Sequence, residues 1–327
     1  MKLFFILIII IIGFISCTDE PDPVAVIFDT DIAPDYDDVG ALAMLHALAD
    51  SGEAKILATI SCNAFETTAP TLSVINNYFN RADVPVGVVK KDSPNYSCPR
   101  LWAQGIIEKY PHAIKSNKEA SDAIELYRKI LSVQPDTSVT IIAVGTLTNI
   151  ADLLDSKPDE YSAYDGLQLV KRKVKLLVAM AGGIDSTGNS GYEWNVMADV
   201  PAAQKVFSDW PVPITLSGFE IGVNIFTGMR LINNKAIQNS PVKDAYQISL
   251  TYDGTQGRYS WDQTVVLVGV RGIQPYFNYR KLNLAIKDDG KDTVIAGDKI
   301  TYITYKQKLG EIGNLMEELM MHAPLKK

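Results

Sequence analysis

The sequence predicts an α/β fold: a doubly wound, mostly parallel central sheet with helices on both faces. Three observations predict it. Apolar runs rich in Val and Ile recur along the chain, stretches with helical spacing separate them, and the runs are near-continuously apolar rather than alternating. Continuous apolarity is the mark of parallel strands covered on both sides, and a strand–helix alternation winds such strands into one sheet. The composition agrees: of 327 residues, 47% are hydrophobic and 21% charged, as in globular proteins. The net charge of −7 argues against a nucleic-acid partner.

The expected strands are Val24–Phe28, Ile56–Ile60, Val86–Val89, Val139–Val144, Val174–Ala179 and Ile214–Leu216. The expected helices between them are Val39–Ala49, Thr71–Phe79, Ser121–Leu131, Leu147–Leu154 and Pro201–Phe207. The last third is richer in helix, with Val242–Tyr252, Asp262–Val270 and Gly310–Met321, the last placing Ile312, Leu315, Met316 and Leu319 on one apolar face. Thr301–Tyr305 reads as an antiparallel or edge strand, and Ser93–Asn95 and Ser186–Gly191 as surface loops.

The N-terminus is a separate object. Met1-Lys2, an apolar run from Leu3 to Ile12 and a small residue before cysteine read as a secretory signal over residues 1–16. Ser16-Cys17 resembles a bacterial lipoprotein cleavage box, which implies lipidation of Cys17 and a tether over 17–23. One domain is then expected over 24–327. The chain is expected to be secreted across the inner membrane and anchored by lipid alone, on the periplasmic or outer-membrane face. Cys62 and Cys98 remain as thiols, and spacing does not decide whether they pair.

The richest chemistry lies in Val26-Ile-Phe-Asp29-Thr-Asp31-Ile-Ala-Pro-Asp35-Tyr-Asp37-Asp38-Val, with five aspartates in ten residues. An apolar strand leads in and an apolar helix leads out. The acids therefore sit at the carboxyl end of a buried strand, where open α/β sheets bind ligands. Carboxylates this dense need protons or a cation, and a hard ion such as Ca²⁺ or Mg²⁺ suits oxygen ligands. Helix capping explains one or two of them, such as Asp37 or Asp38.

This pattern resembles the nucleoside hydrolase family of the inosine–uridine-preferring type. The matching segments are Asp29-Thr-Asp31 with Asp37-Asp38-Val-Gly-Ala-Leu, then Gly145-Thr-Leu-Thr148-Asn149, then Met180-Ala-Gly-Gly183 with Asn189 and Glu193-Trp194-Asn195, and last Trp261-Asp262. The resemblance implies Ca²⁺ bound by Asp31, Asp38, the backbone carbonyl of Thr148, and Asp262. It implies Asp31 as general base and a nucleoside substrate whose sugar is held by Asp37, Asn189, Glu193 and Asn195. Asn63, at the end of the second strand, is either a further sugar contact or a turn residue. A homo-oligomer is compatible with the sequence.

Two departures stand out. The turn between Asp31 and Asp37-Asp38 is two residues longer than in the best-known members, which leaves Asp35 as a spare acid or a substitute for Asp37. Trp261 stands where many members have a leaving-group histidine. Tryptophan there resembles the purine-specific branch, in which aromatic stacking on the base replaces the acid, and Trp102 could supply the opposite face. Two other readings remain: a lipid-anchored protein that binds nucleosides or sugars without turnover, and a haloacid-dehalogenase-like phosphatase suggested by Ile27-Phe28-Asp29-Thr-Asp31.

Overall fold

A computed structural model describes residues 22–91, 93–185, 187–306 and 308–326. The expected signal, Cys17 and most of the tether lie outside the described residues. The strands are β1 (Val24–Thr30), β2 (Ala54–Ser61), β3 (Val86–Val88), β4 (Ser121–Asp122), β5 (Val139–Ala143), β6 (Val174–Met180), β7 (Ser190–Gly191), β8 (Ile214–Ser217), β9 (Phe226–Thr227), β10 (Arg258–Tyr259), β11 (Asn278–Ile286) and β12 (Asp292–Thr304).

The main sheet runs β11-β12-β8-β6-β5-β1-β2-β3-β4. From β1 the chain moves outward through β2, β3 and β4, then returns to place β5 on the other side of β1. The strand order reverses at that point. A crevice opens above the carboxyl ends of β1 and β5, the place where such sheets take ligands. Every strand from β4 to β8 along the central path pairs in parallel.

Alternate residues of β1 feed two apolar cores, one on each face of the sheet. Val26 and Phe28 pack with helices Asp37–Asp50, Thr68–Tyr78, Trp261–Arg271 and Leu309–Met320. Ile27 packs with helices Ala123–Val133, Thr148–Asp155 and Val200–Asp209. This is the doubly wound arrangement the apolar runs predict, and it explains why those runs do not alternate.

Helix Asp37–Asp50 is buried along nearly its whole length, between the sheet and other helices. At Gly40 a Cβ would stand 2.4 Å from the Tyr246 hydroxyl and 2.5 Å from Gln263 Nε2, so only glycine permits this approach. The approach sets the start of helix Trp261–Arg271 beside the start of helix Asp37–Asp50. It thereby brings Asp262 to Asp38.

The strand expected at Thr301–Tyr305 is the end of a much longer hairpin, β11–β12. β11 escapes sequence detection because it is an outer strand whose burial alternates, which leaves no continuous apolar run. Cys62 and Cys98 are both free and buried. Among the described residues no helix is long and apolar enough to cross a membrane.

Candidate active site

The loop after β1 and the first turn of helix Asp37–Asp50 set the aspartates around one cleft. Asp31, Asp35, Asp37, Asp38 and Asp262 line it, together with Glu193, Asn195, Val144, Met180, Trp194, Phe219, Arg258 and Trp261. Carboxylate oxygens of Asp37, Asp38 and Asp262 lie within 4.8 Å of one another, and all three residues are buried. Asp38 also accepts a hydrogen bond from the Thr30 hydroxyl.

The electrostatics follow from burial and crowding. Burial, reinforced by Asp35 and Asp37, pushes Asp31 up to about 8. Burial and then Asp31 and Asp37 hold Asp38 well above the carboxylate range. Burial and then Asp37, Asp38 and Asp31 do the same to Asp262. Buried acids that resist ionisation in one another's presence make an all-oxygen donor set for a hard divalent cation. The residues present therefore fit calcium.

One cation among the described residues lines the cleft. Arg258 donates from Nε (3.0 Å) and Nη2 (2.8 Å) to Asp37 Oδ1, and Nη2 lies 2.9 Å from Asp35 Oδ1. Its guanidinium stands 5.1 Å from the centroids of both Tyr36 and Trp261. Burial works against its charge, but Asp37 and Asp35 outweigh burial and raise its pKa. The same neighbours hold the longer turn: Tyr36 donates to Asp253 Oδ2 at 3.1 Å, and Arg100 donates to Asp253 at 2.7 Å and to the Pro34 carbonyl at 2.8 Å. Asp35 is half in solvent and bridges Arg258 and Arg100, the latter at 3.5 Å.

Glu193 caps the short helix Trp194–Ala198. Its Oε1 accepts from Asn195 N at 2.7 Å, and its Oε2 accepts from Val196 N at 3.1 Å and Gly182 N at 3.3 Å. Burial pushes it up to about 8. Asn195 Nδ2 donates to the carbonyls of Val144 (3.2 Å) and Met180 (2.9 Å), which ties together the ends of β5 and β6. On the opposite wall the indole N–H of Trp261 donates to the Phe219 carbonyl at 2.8 Å, and the two rings stack at 5.4 Å. Trp194 is exposed and stands against Tyr96 at 5.3 Å.

Of the site residues expected from sequence, the structure brings Asp31, Asp37, Asp38, Glu193, Asn195, Trp261 and Asp262 into one cleft. Three lie elsewhere. Thr148 begins helix Thr148–Asp155 and donates its hydroxyl to Asp199 at 2.5 Å, while Val144, four positions earlier, lines the cleft. Asn189 is exposed, with Nδ2 on the Thr187 hydroxyl at 3.1 Å. Asn63 is fully buried, and its amide is consumed by backbone: it donates to Asp31 O and Tyr96 O and accepts from Phe65 N and Tyr96 N.

Trp102 is fully buried in the core and offers no face to the cleft. Asp29, also buried, points away from the cleft lining. Its Oδ2 accepts from Tyr127 (2.9 Å) and Asn149 (3.0 Å), and burial pushes it up to about 7. Among the described residues no histidine lines the cleft: His46 stacks on Phe79 at 4.6 Å, and His322 pairs with Asp50 at 2.7 Å.

Sequence reasoning missed Arg258, Phe219, Trp194 and Val144. Trp194 lies between two residues that were singled out, and Arg258 is three before Trp261, so position in the motif was the available signal. Nothing in the sequence around Phe219 marks it.

A mostly parallel sheet with acids gathered above its switch point defines an α/β protein with an acidic ligand cleft, and comparison names the family. The profile described as inosine-uridine preferring nucleoside hydrolase matches residues 26–306, and the chain belongs to that family. A relative from Enterobacter sp. (strain 638), named pyrimidine-specific ribonucleoside hydrolase RihA, is 30% identical over 213 residues, 60% of either chain. The match thus spans less than two thirds of that relative. Among solved structures, a plant nucleoside hydrolase, PpNRh1, superposes with a TM-score of 0.68 at 19% identity, covering 91% of this chain and 99% of its own. A purine-preferring ribonucleoside hydrolase from Gardnerella vaginalis superposes at 0.65 with 17% identity and the same coverage. At these identities the structures establish the nucleoside hydrolase fold.

Proposed function

We propose that this chain cleaves the N-glycosidic bond of ribonucleosides, purine nucleosides first, to give ribose and free base in a calcium-dependent reaction. The observation that carries the reading is the cleft itself, in which buried acids face an aromatic wall. A polyol needs acceptors at one end, and a flat base needs rings at the other.

By family resemblance Asp31, Asp38 and Asp262 would hold calcium with the backbone carbonyl of Thr148, at the start of helix Thr148–Asp155; Asp37 stands with Asp38 and Asp262 in the same acid cluster. Bound there, calcium supplies positive charge that grips vicinal hydroxyls and acidifies a water. Asp31 accepts the proton of the attacking water. Asp37 is held by Arg258 through Oδ1 and keeps Oδ2 for a sugar hydroxyl. Glu193 and Asn195 take further hydroxyls, and Asn63 braces the loop of Asp31 from behind. Asn189 reaches a sugar only if its loop moves inward. The base lies between Trp194 and the Phe219–Trp261 pair. Ring stacking favours the larger purine surface.

The test is ribose release from inosine, guanosine, adenosine and uridine, with calcium and with chelator. Turnover of purines that chelator abolishes supports the reading. Saturable binding without turnover supports instead a nucleoside-binding protein, which the lack of a histidine in the cleft favours. A lipid anchor at Cys17, after removal of residues 1–16 and with 17–23 as tether to one domain over 24–327, belongs to the same proposal. It predicts that Cys17→Ser leaves the protein in the soluble fraction.

A further inference from the structure

We propose that Arg258 is a catalytic residue that stabilises negative charge on the departing base; the proposal rests on the hydrolase reading above. The cleft poses a problem for a leaving group. When the bond from C1′ to the base nitrogen breaks, the electron pair leaves with the base. Five aspartates and Glu193 line the same space and oppose that charge. Among the described residues no histidine lines the cleft to protonate the base.

Arg258 is placed to answer this. Nε and Nη2 are fixed on Asp37 and Asp35, while Nη1 has no hydrogen-bond partner among the described residues. The guanidinium lies between the carboxylates and the ring of Trp261, so it stands where the sugar end of the cleft meets the aromatic end. Its orientation is set before substrate arrives, which is the condition for strong electrostatic stabilisation. Asp35 and Asp37 offset its net charge, so what it presents is a charge-assisted N–H donor.

Arginine keeps its proton at neutral pH, so it acts as a fixed donor and not as an acid. Water adds its oxygen to C1′ and gives a proton to Asp31. The base leaves with the bonding pair, held by Nη1, and takes a proton from solvent. Asp31 then returns its proton to solvent. The sum is nucleoside plus water to ribose plus base.

A purely structural Arg258 would hold Asp37 and nothing more. The two roles separate when the sugar is constant and the leaving group varies. Inosine has a poor leaving group, and p-nitrophenyl β-D-ribofuranoside has one that departs unaided. Both are compared in the calcium-loaded protein with Arg258, R258K and R258M. Loss of the donor should lower kcat on inosine by about 10²-fold and on the nitrophenyl riboside by less than about fivefold, with R258K between. Equal losses on both substrates in a variant with an unchanged melting temperature overturn the proposal. If R258M does not fold, R258K is read by the same ratio. A wild-type protein that hydrolyses neither substrate sinks the hydrolase reading instead.

Discussion

Gly145 lies against the backbone of Asp31: a Cβ on it would stand 2.5 Å from the Asp31 nitrogen and 2.8 Å from the Asp31 Cβ, with Cys62 Sγ at 2.6 Å. The turn after β5 and the loop after β1 thus meet with no room for a side chain. Gly145→Ala must push the Asp31 loop aside. Overpacking of this kind costs about 1–3 kcal/mol, and an ångström of displacement at a reacting group costs about 10²-fold in rate. A melting curve and a kcat measurement check both. A variant with normal kcat would show that Asp31 is not held to its position by this contact.

Asp31→Asn should leave the fold intact and remove turnover, by about 10²–10⁴-fold for a lost general base. Without calcium it should melt above the parent, because one acid that burial and its neighbours push up to about 8 is gone. Unchanged kcat would take the proton-accepting role from Asp31.

The pH dependence has a definite sign. Asp31 and Glu193 rise to about 8, and Asp29 and Asp292 to about 7, each chiefly through burial. Their unfolded values lie near about 4, so in this range the folded state binds more protons than the unfolded state. Stability of the calcium-free protein must therefore fall as pH rises from about 6.5 to 8. His46, lowered to about 3 by burial, does not interfere, because above its unfolded pKa it is neutral in both states. Thermal melts in chelator check the slope, and a rise across this range would contradict it.

Calcium should displace protons from Asp31, Asp38 and Asp262, which burial and crowding hold protonated. Its affinity should increase with pH, and calorimetry in buffers of different ionisation enthalpy should record proton release. Saturation at about a hundred times Kd would stabilise the fold by about 2.7 kcal/mol. Binding without proton release would place the ion elsewhere.

Trp261→Ala should lower kcat on inosine about tenfold more than on uridine, the weight of one stacking contact. Equal losses would mean that the ring packs only against Phe219.

The sheet was legible because its central strands are buried on both faces, and burial writes continuous apolar runs such as Val139–Ala143. Of the edge hairpin β11–β12 only the end near Thr301 was legible, since along both strands buried residues are interrupted by exposed and half-buried ones. The acids of the site could be read because a polar cluster at a strand end has few structural explanations. For Arg258 the only signal was its place three residues before Trp261; its partner Asp37 lies more than two hundred residues away, and the pairing of β10 with β9 that sets it is not written locally. Asn63 holds the backbone of Asp31, Phe65 and Tyr96, a bracing role that its place at a strand end does not reveal; the Thr148 hydroxyl bonds Asp199, which leaves untouched the backbone carbonyl that the resemblance implies as a ligand.

Trp261 and Asp262 are consecutive at the start of one helix, so an ion held by Asp262 would sit within a residue's reach of the indole. That ring touches Phe219, Tyr259 and the Arg258 guanidinium, all of which influence its excited state. Tryptophan emission is therefore expected to change when a cation is added, before any substrate is present.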